Sequence, residues 1–275
     1  MDRKLSKTDP RPIKPGEEGK SSLCEMGLTL VHPFFGEEER FEKLFNNWLK
    51  YSTLIKDKLK IILVDDYGNP PINSLLTKNK LKYLDFNLSI FRIEENLKYN
   101  TPGALNLGVM CADSEWVLIM DSDCTFFPDE MEKIMNFRPN NKFTYKFPRK
   151  RITNDSHKAT NTRFLPCTIL FHKNLFLNIN GFDEDFTGEW SNGYGFFDNH
   201  FDIKVIANGF GCRLISNIIA TEWMPDFVGP HVVRNEEHHN INKRILYDKR
   251  NNRMALSNHM LRFPWKLEFH HDRKS

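Results

Sequence analysis

One short segment constrains this chain more than any other: the mostly apolar run Glu115–Met120 leads directly into Asp121, Ser122 and Asp123. A run of this kind is typical of a strand that is buried on both faces. Carboxylates two positions apart on an extended chain point to the same side, so Asp121 and Asp123 can both reach one hard divalent cation. Aspartates at a strand end can also cap a turn, but a pair after an apolar run favours a metal site.

Apolar strands alternate with helical segments through the first half of the chain. The helical segments place apolar residues on one stripe, and polar residues gather where the strands end. The predicted strands are Gly27–His32, Leu59–Val64 and Leu88–Ile93, and the predicted helices are Glu37–Ser52 and Gly103–Ala112. This alternation predicts an α/β fold with a mostly parallel sheet flanked by helices, whose ligand crevice lies along the carboxyl edge of the sheet.

The second half of the chain is less regular. Strand-like segments are expected at Phe143–Phe147 and Phe164–Phe171, and a last helix at Phe197–Ala207. We predict three regions: a flexible, proline- and glycine-containing N-terminal arm at 1–25, a single folded domain at 26–250, and a tail at 251–275. The tail carries apolar residues among basic ones and is expected to pack on the domain, with subunit pairing or a membrane surface as its alternatives.

Charge and cysteine usage exclude some classes of partner. The 39 Lys and Arg nearly balance the 36 Asp and Glu, and a net charge of +3 gives no reason to expect nucleic acid as the main partner. The run Arg149–Arg151 is interpreted as a solvated loop, with attraction of phosphate or an acidic acceptor as the alternative. Five scattered cysteines favour reduced thiols, and no apolar stretch approaches a transmembrane length. We therefore expect a cytoplasmic protein, at most peripheral at a membrane surface.

The order and spacing of several motifs carry a resemblance to a known family. Along the chain these motifs are Pro33-Phe34, Val64-Asp65-Asp66, Asn100 to Gly108, Asp121-Ser122-Asp123, Asn180 to Glu184, Trp190 to Asp198, and His231 to Arg234 with Asn240 and Arg244. The chain resembles a GT-A fold glycosyltransferase of the family 2 kind. Its acceptor-side motifs are similar to those of β-1,4-galactosyltransferases and chondroitin polymerases. Two positions depart from the pattern: Leu105 replaces an arginine before Asn106, and Phe197 replaces a glutamate before Asp198.

The resemblance implies a donor site for a nucleotide sugar together with Mn²⁺ or Mg²⁺. The implied donor-binding residues are Pro33, Phe34, Asp65, Asp66, Asn100, Asn106, Asp121, Ser122 and Asp123. His231 is implied as a third metal ligand, since an imidazole with two carboxylates suits Mn²⁺, and His238 and His239 are its alternatives. Either Asp65 or Asp66 would accept a hydrogen bond from a uracil ring, or the two would only cap a turn.

Asp198 is the candidate base for activating the acceptor. An acceptor hydroxyl is a poor nucleophile near neutral pH and benefits from a positioned carboxylate. A helix that begins near Phe197 presents Asp198 in its first turn. The alternatives are that Asp198 only complements the helix dipole, or that Asp202, one turn later on the same face, is the base. Acceptor or sugar contacts are expected from Asp183, Glu184, Trp190, Gly193 and Tyr194. The alternatives are a solvated turn for the two acids and core anchoring for the two aromatic rings.

Together with these residues, the resemblance implies a metal-dependent, inverting glycosyltransferase that moves a sugar from a UDP-sugar to a glycan or glycoconjugate, in polysaccharide biosynthesis. The donor sugar is expected to be of the galactose, N-acetylgalactosamine, glucose or glucuronate type. The alternatives are a retaining transferase similar to the polypeptide N-acetylgalactosaminyltransferases, a noncatalytic protein that binds a nucleotide sugar or glycan, and a nucleotidyltransferase. Asp198 argues against the first, the full set of aspartates against the second, and the segment Trp190–Gly195 against the third.

Overall fold

The computed structural model describes residues 10–78, 84–153, 156–224, 236–251 and 260–273. Within these residues one mixed sheet forms the centre of a single domain. Its strands are β1 (Arg11–Pro12), β2 (Leu28–Phe34), β3 (Leu59–Asp66), β4 (Asn87–Ile93), β5 (Trp116–Ile119), β6 (Cys124–Thr125), β7 (Phe143–Thr153), β8 (Ser156–His172), β9 (Gly211–Leu214), β10 (Ala220–Met224) and β11 (Trp265–His271).

Helices flank this sheet. They are α1 (Leu23–Met26), α2 (Glu38–Trp48), α3 (Thr53–Lys58), α4 (Ile72–Lys78), α5 (Thr101–Met110), α6 (Pro128–Asn136), α7 (Lys173–Asn178), α8 (Gly188–Ser191), α9 (Phe197–Ala207) and α10 (Glu236–Asn251), with a 3₁₀ turn at Glu184–Phe186. The predicted helix Glu37–Ser52 ends earlier, because the Ser52 side chain accepts the amide of Ile55 and starts α3. No helix in the described ranges is long and apolar enough to cross a membrane.

The order of the strands determines where a ligand crevice can lie. The order is β1-β9-β7-β8-β5-β2-β3-β4-β11, and β10 pairs with β6 and β7. Strands β5, β2, β3 and β4 are parallel neighbours, so their carboxyl ends meet at one edge. β8 is antiparallel to β5 and β7, and β11 is antiparallel to β4. The prediction of a mostly parallel α/β sheet is confirmed, and Asp121 lies where β5 reaches this edge.

The central strands bury side chains on both faces. In β3, for example, Leu63 belongs to one apolar cluster, which includes α2, and Val64 belongs to the other, which includes α5. Gly108 lets α5 lie close to the sheet, because a Cβ at this position would overlap the side chain of Val31 and crowd that of Val64. The near-continuous apolar sequence of these strands follows from this two-sided burial.

Residues 10–25, which the sequence analysis assigns to a flexible arm, are attached to the sheet. β1 pairs with β9, and Glu17 forms a bidentate ion pair with Arg213, with N–O distances of 2.6 and 2.7 Å. Ser22 and Glu25 form a capping box that starts α1. The prolines and glycines of this stretch therefore lie in a segment whose described part is held against the sheet.

The C-terminal part contributes two elements that the sequence analysis does not predict. Helix α10 follows the helix that was expected to be the last. Few of its positions are apolar, so its helical periodicity is weak, and Asn242 and Leu246 are its buried residues. The tail contains strand β11, which pairs with β4 and closes one edge of the sheet.

Gly108→Ala tests the close approach of α5 to the sheet. Alanine favours a helix over glycine by about 1 kcal/mol, but overlap with Val31 should outweigh this gain, and we expect a net loss of about 1–3 kcal/mol in the free energy of unfolding. Urea unfolding followed by circular dichroism measures it. The exposed Met110→Ala in the same helix is the control, with an expected change within about 0.5 kcal/mol. A Gly108→Ala variant as stable as the parent would contradict the packing described here.

Candidate active site

The predicted metal-binding pair lies in a short turn that is held at both ends. The amide of Met120 donates to a carbonyl of β2 at 3.1 Å, and the amide of Cys124 donates to the carbonyl of Asp121 at 3.1 Å. From β10, the amide of Trp223 donates to the carbonyl of Asp123 at 2.8 Å. The backbone that carries the two carboxylates is therefore fixed by three strands.

Asp121, Asp123 and Cys124 present ligand atoms that all lie within 4.8 Å of one another. The Cys124 thiol donates to Asp123 Oδ1 at 3.1 Å, and burial raises its pKa well above the usual range. Burial also raises the pKa values of Asp121 and Asp123, and neighbouring carboxylates raise them further. Oxygen ligands crowded in this way fit a hard divalent cation, whose charge would offset their repulsion.

A third carboxylate, Glu222 on β10, lies beside this pair, and the sequence analysis does not single it out. Arg151 donates to Glu222 at 2.9 and 3.3 Å, and an Arg149 nitrogen lies 3.3 Å from it. Arg149 and Arg151 are alternate residues of β7 and share one side of the strand, whereas Lys150 is exposed. The basic run is thus part of a strand with two of its charges paired, which corrects its interpretation as a solvated loop.

Asp198 reaches the same edge of the sheet from α9. Gly195 and Phe196 adopt left-handed backbone conformations, with φ of +77° and +65°, and turn the chain into the helix. Asp198 lies in the first helical turn with 8% of its surface exposed. Burial raises its pKa, whereas Lys146 and two backbone amides lower it. Burial, then Asp123, then Asp198 raise the pKa of Asp121, so the metal pair and Asp198 lie within electrostatic reach of each other.

Tyr99 and Cys167 also lie in this region. Cys167 on β8 donates a hydrogen bond to Asp121, and burial, followed by Asp121 and Asp198, raises its pKa well above the usual range. Burial, followed by Cys167, Asp198 and Asp121, does the same for Tyr99. Both groups are therefore neutral and can donate hydrogen bonds next to the carboxylates. They come from separate elements, and the sequence analysis singles out neither residue.

Asp202, the rival to Asp198, lies one helical turn further on and is paired inside the protein. Lys146 Nζ donates to Asp202 Oδ2 at 2.5 Å, and Lys146 has no exposed surface. Only 4% of the surface of Asp202 is exposed. A carboxylate held by a buried ammonium is a weaker candidate for accepting a proton from a ligand, which favours Asp198 over Asp202 as the base.

The two aspartates at the end of β3 have different surroundings. Asp65 accepts two backbone amides of the following turn, at 2.6 and 3.0 Å, and a hydrogen bond from Arg92 at 2.6 Å. Asp66 accepts a hydrogen bond from Asn100 Nδ2 at 3.1 Å, and its Oδ2 has no partner among the described residues. Burial raises the pKa of Asp66 to about 7. Asp65 therefore holds the turn, and Asp66 has an oxygen that a ligand can use.

Pro33 and Phe34 end β2 beside the β3 aspartates, and both are buried. The ring of Phe34 packs edge-on against Phe41 with a centroid distance of 5.6 Å, so its side chain belongs to the core. The hydroxyl of Ser122 accepts a hydrogen bond from Arg40 at 3.4 Å. Of these predicted donor-binding residues, Phe34 therefore uses its side chain for packing in the core, and the end of β2 lies at the carboxyl edge of the sheet.

Asn106, Asp183 and Glu184 are almost fully buried and use their polar groups inside the protein. Asn106 donates to Glu184 Oε1 at 2.9 Å and exchanges two further hydrogen bonds with the backbone of the same loop. Glu184 also accepts the amides of residues 261–262 at 2.8 and 3.3 Å. Asp183 lies 2.8 Å from Lys249 Nζ. These contacts hold the loop before α8, so the solvated-turn alternative for the two acids is not what the structure has.

The predicted sugar-contact residues lie on the next segment. Trp190 is 40% exposed, and the guanidinium of Arg262 lies 5.0 Å from the centre of its ring. Tyr194 is partly buried, with its ring 5.2 Å from that of His239. A Cβ on Gly193 would overlap α10, so this glycine allows close contact between loop and helix. Trp190 therefore offers an accessible aromatic surface, and the ring of Tyr194 contacts α10.

The predicted metal ligand His231 lies outside the described residues. Its alternatives His238 and His239 begin α10. The carbonyl of His238 accepts the amide of Tyr194 at 3.3 Å, and the ring of His239 lies 4.4 Å from that of Phe196. The start of α10 is therefore adjacent to the turn that carries Asp198.

These features define a class: the chain is a GT-A glycosyltransferase in fold, with an Asp-x-Asp pair at the carboxyl edge of a parallel sheet and an aspartate of a later helix nearby. A model of glycosyl transferase family 2 matches residues 29–209. This match covers more than half of the chain, so the protein belongs to glycosyl transferase family 2. The matched segment contains Asp121, Asp123 and Asp198 and ends before α10. No curated protein matches the chain in sequence.

Several solved structures share the fold. S. aureus TarS (residues 1–349) in complex with UDP-GlcNAc has a TM-score of 0.61 at 15% identity, over 85% of this chain and 68% of that one. GalNAc-T7 with UDP, GalNAc and Mn²⁺ has a TM-score of 0.61 at 10% identity, over 82% of this chain and 50% of that one. The Pyrobaculum calidifontis mannosyltransferase PcManGT with GDP-Man and Mn²⁺ has a TM-score of 0.56 at 15% identity, over 92% and 76%. At these identities the likeness is one of fold.

Replacing each β3 aspartate with asparagine should have opposite effects on stability. Asp65 accepts three hydrogen bonds, and an amide nitrogen in place of one oxygen would face a donor, so Asp65→Asn should lose about 2–4 kcal/mol. Asp66→Asn keeps an acceptor for Asn100. The folded-state pKa of Asp66, about 7, lies above its unfolded value, so the parent loses stability as pH rises from about 4 to about 7.

Asp66→Asn does not have this loss, so it should be more stable than the parent at pH 8, by a margin that shrinks toward pH 4. Urea unfolding of the parent and both variants at pH 4, 6 and 8 provides the comparison, and each aspartate serves as the control for the other. Equal stability of the two variants, or a margin for Asp66→Asn that does not change with pH, would show that these surroundings are misassigned.

Proposed function

We propose that this protein is a metal-dependent, inverting glycosyltransferase whose donor is a nucleotide sugar, in particular a UDP-sugar. One observation carries the proposal: the Asp121 and Asp123 pair at the end of β5 and Asp198 at the start of α9 lie within electrostatic reach of each other. Departure of a diphosphate needs a cation site, and attack by a hydroxyl needs a base. The site has residues suited to both.

On the donor side, Asp121 and Asp123 would hold Mn²⁺ or Mg²⁺, which when bound supplies positive charge to the departing diphosphate. The GalNAc-T7 structure contains UDP and Mn²⁺ and the TarS structure contains UDP-GlcNAc, which supports a UDP-sugar for this chain. Asp66 Oδ2 accepts the N3 hydrogen of uracil, since no described residue occupies it. The backbone at Pro33 and Phe34 borders the nucleotide.

On the acceptor side, Asp198 removes the proton of the attacking hydroxyl. The acceptor oxygen forms its bond to the anomeric carbon while the bond to the diphosphate breaks on the opposite face, which inverts the anomeric configuration. The proton ends on the Asp198 carboxylate, and the nucleoside diphosphate leaves with the bonding electron pair. Burial raises the pKa of Asp198, which makes it a stronger base than an exposed aspartate.

A glycan or glycoconjugate is the acceptor that suits this surface. The exposed Trp190 offers an aromatic face for the C–H groups of a sugar ring, and Tyr194 lies between it and the turn that carries Asp198. All five cysteines are free thiols, which supports a cytoplasmic location. We propose a role in the synthesis of a polysaccharide or glycoconjugate with a galactose-, N-acetylgalactosamine-, glucose- or glucuronate-type donor.

A noncatalytic binding protein is the competing function that Phe197 raises, because it replaces the acceptor-side glutamate of similar enzymes. Phe197 is 2% exposed, and its ring lies 5.3 Å from that of Phe182 and 6.4 Å from that of Tyr99. It is therefore part of the core beneath the acceptor turn. The substitution changes packing and leaves the carboxylate of Asp198 in place, which favours the transferase.

A screen for nucleotide release tests the proposed reaction. Purified protein with Mn²⁺ is given UDP- and GDP-sugars, with water and simple methyl glycosides as acceptors. We expect release from a UDP-sugar that stops on chelation with EDTA. Asp123→Ala should lose nucleotide binding and turnover, whereas Asp198→Asn should keep Mn²⁺-dependent UDP binding and lose at least about 100-fold in kcat. The exposed Asp129→Ala, a few residues along the chain, is the control and should match the parent.

The outcomes separate the candidate functions. Inverted anomeric configuration of the product by NMR supports the single displacement, and retention would contradict it. Tight UDP binding without turnover of any donor or acceptor would favour the binding-protein function. If Asp123→Ala releases nucleotide as fast as the parent, the metal-site assignment is wrong.

Recognition of the base has a separate test. Asp66→Asn presents an amide hydrogen toward the uracil N3 hydrogen, so the affinity for UDP should fall about 10-fold or more although the protein remains folded. Isothermal titration with UDP and with GDP in the presence of Mn²⁺ measures this. The affinity for UDP should fall more than that for GDP, and equal losses would contradict a uracil contact.

A further inference from the structure

A fully buried lysine on β7, Lys146, has no part in the donor and acceptor contacts described above. Its Nζ donates to Asp202 Oδ2 at 2.5 Å and lies 4.9 Å from the centre of the Phe164 ring. Neither charged side chain is more than slightly exposed. Removing an ion pair from water costs several kcal/mol, and apolar residues in the same place are often at least as stable. Packing alone therefore does not explain a charge pair at this position.

The position of the pair connects it to Asp198. Lys146 lies on the central strand between β8 and β9, opposite Ile169 and Leu214. Asp198 and Asp202 are four residues apart on α9 and so share one face of the helix. Burial by itself would lower the pKa of Lys146, but Asp202, with Asp198 as a further carboxylate, raises it more. The ammonium therefore remains charged, hydrogen-bonded to Asp202 and within electrostatic reach of Asp198.

Charged and titratable groups face Asp198 from every element packed around it. They are Lys146 from β7, Cys167 from β8, Tyr99 from the loop before α5, Asp121 from the end of β5, His239 from α10 and Asp202 from its own helix. Among them, Lys146 stabilises the ionised form of Asp198 most, and Asp121 opposes it.

We propose that Lys146 and Asp202 are positioning residues for the transfer: Lys146 keeps Asp198 ionised until the acceptor hydroxyl arrives, and Asp202 holds the Lys146 ammonium in place. The inference rests on the proposed function, in which Asp198 is the base. Neither residue touches the substrate, and Lys146 keeps its proton throughout. The proton of the acceptor moves only to Asp198. Asp202, which is not favoured as the base, therefore acts by holding Lys146.

The two single substitutions should move the pH profile in opposite directions. Lys146→Met removes a positive charge, so Asp198 binds its proton more tightly and the acid limb of kcat/KM moves to higher pH by about one unit. Asp202→Asn leaves the ammonium with one anion fewer, so the acid limb moves to lower pH. The double variant should lie near the parent. Nucleotide release from the UDP-sugar that the screen selects, with Mn²⁺ and a methyl glycoside or water, is measured from pH 5 to 9.

A second readout does not depend on turnover. At pH 8 the ionised Asp198 loses its stabilising cation in Lys146→Met, so adding Asp198→Asn should raise the thermal midpoint more in this background than in the parent, by about 3 °C or more. If Lys146→Met does not fold alone, a second double variant, Lys146→Met with Asp202→Leu, replaces the ion pair with two apolar side chains. The effect of adding Asp198→Asn is then compared between this double variant and Asp202→Asn.

The matched control is the exposed pair Lys60 and Asp113, whose charged atoms lie 3.3 Å apart at the opposite edge of the sheet. Lys60→Met and Asp113→Asn should leave the pH profile unchanged. The inference is overturned if the pH profiles of Lys146→Met and Asp202→Asn only lose height or shift in the same direction, and if Asp198→Asn also changes the thermal midpoint equally in both backgrounds. If Asp198→Asn itself turns over like the parent, the proposed function fails instead.

Discussion

Repulsion among buried and partly buried carboxylates is the constraint around which this site is built. Asp121, Asp123, Asp198, Asp202 and Glu222 gather at one edge of the sheet, where burial makes each negative charge costly. The fold neutralises two of them itself, Glu222 with arginines of β7 and Asp202 with Lys146. The three that remain are the two that would hold a cation and the one that would accept a proton. Charge balance inside the protein thus distinguishes supporting acids from reacting ones, although all five are the same functional group.

The donor edge could be predicted from sequence because its information is local. An apolar run fixes β5, and the alternate aspartates that follow it share one side of an extended chain, so a few adjacent residues define both strand and site. The same holds for β3, where the sequence predicts two aspartates at the edge. It does not distinguish them, because their difference arises from turn amides and from Asn100, which reach them only in the folded structure.

The supporting half of the site could not be predicted in this way. Lys146 and Asp202 are 56 residues apart, and Arg151 and Glu222 are 71 residues apart, so no local motif links the members of either pair. Their meeting depends on the order of β7, β8, β9 and β10 in the sheet, which periodicity does not reveal. Helix α10 was not predicted because its main contact with the domain is also not local in sequence. Its anchor is the polar Asn242, which donates to the carbonyls of Phe186 and Gly195, and not an apolar stripe.

The loop before α8 depends on partners that come later in the chain. Glu184 takes its backbone donors from residues 261–262, and Asp183 and Asp185 take their cations from Lys249 and Arg262. During synthesis Asp183 therefore lacks its ammonium partner until Lys249 has left the ribosome, and Glu184 lacks its amide donors until residues 261–262 have followed. Under the proposed function, the acceptor side of the site is therefore the last part of it to be completed along the chain.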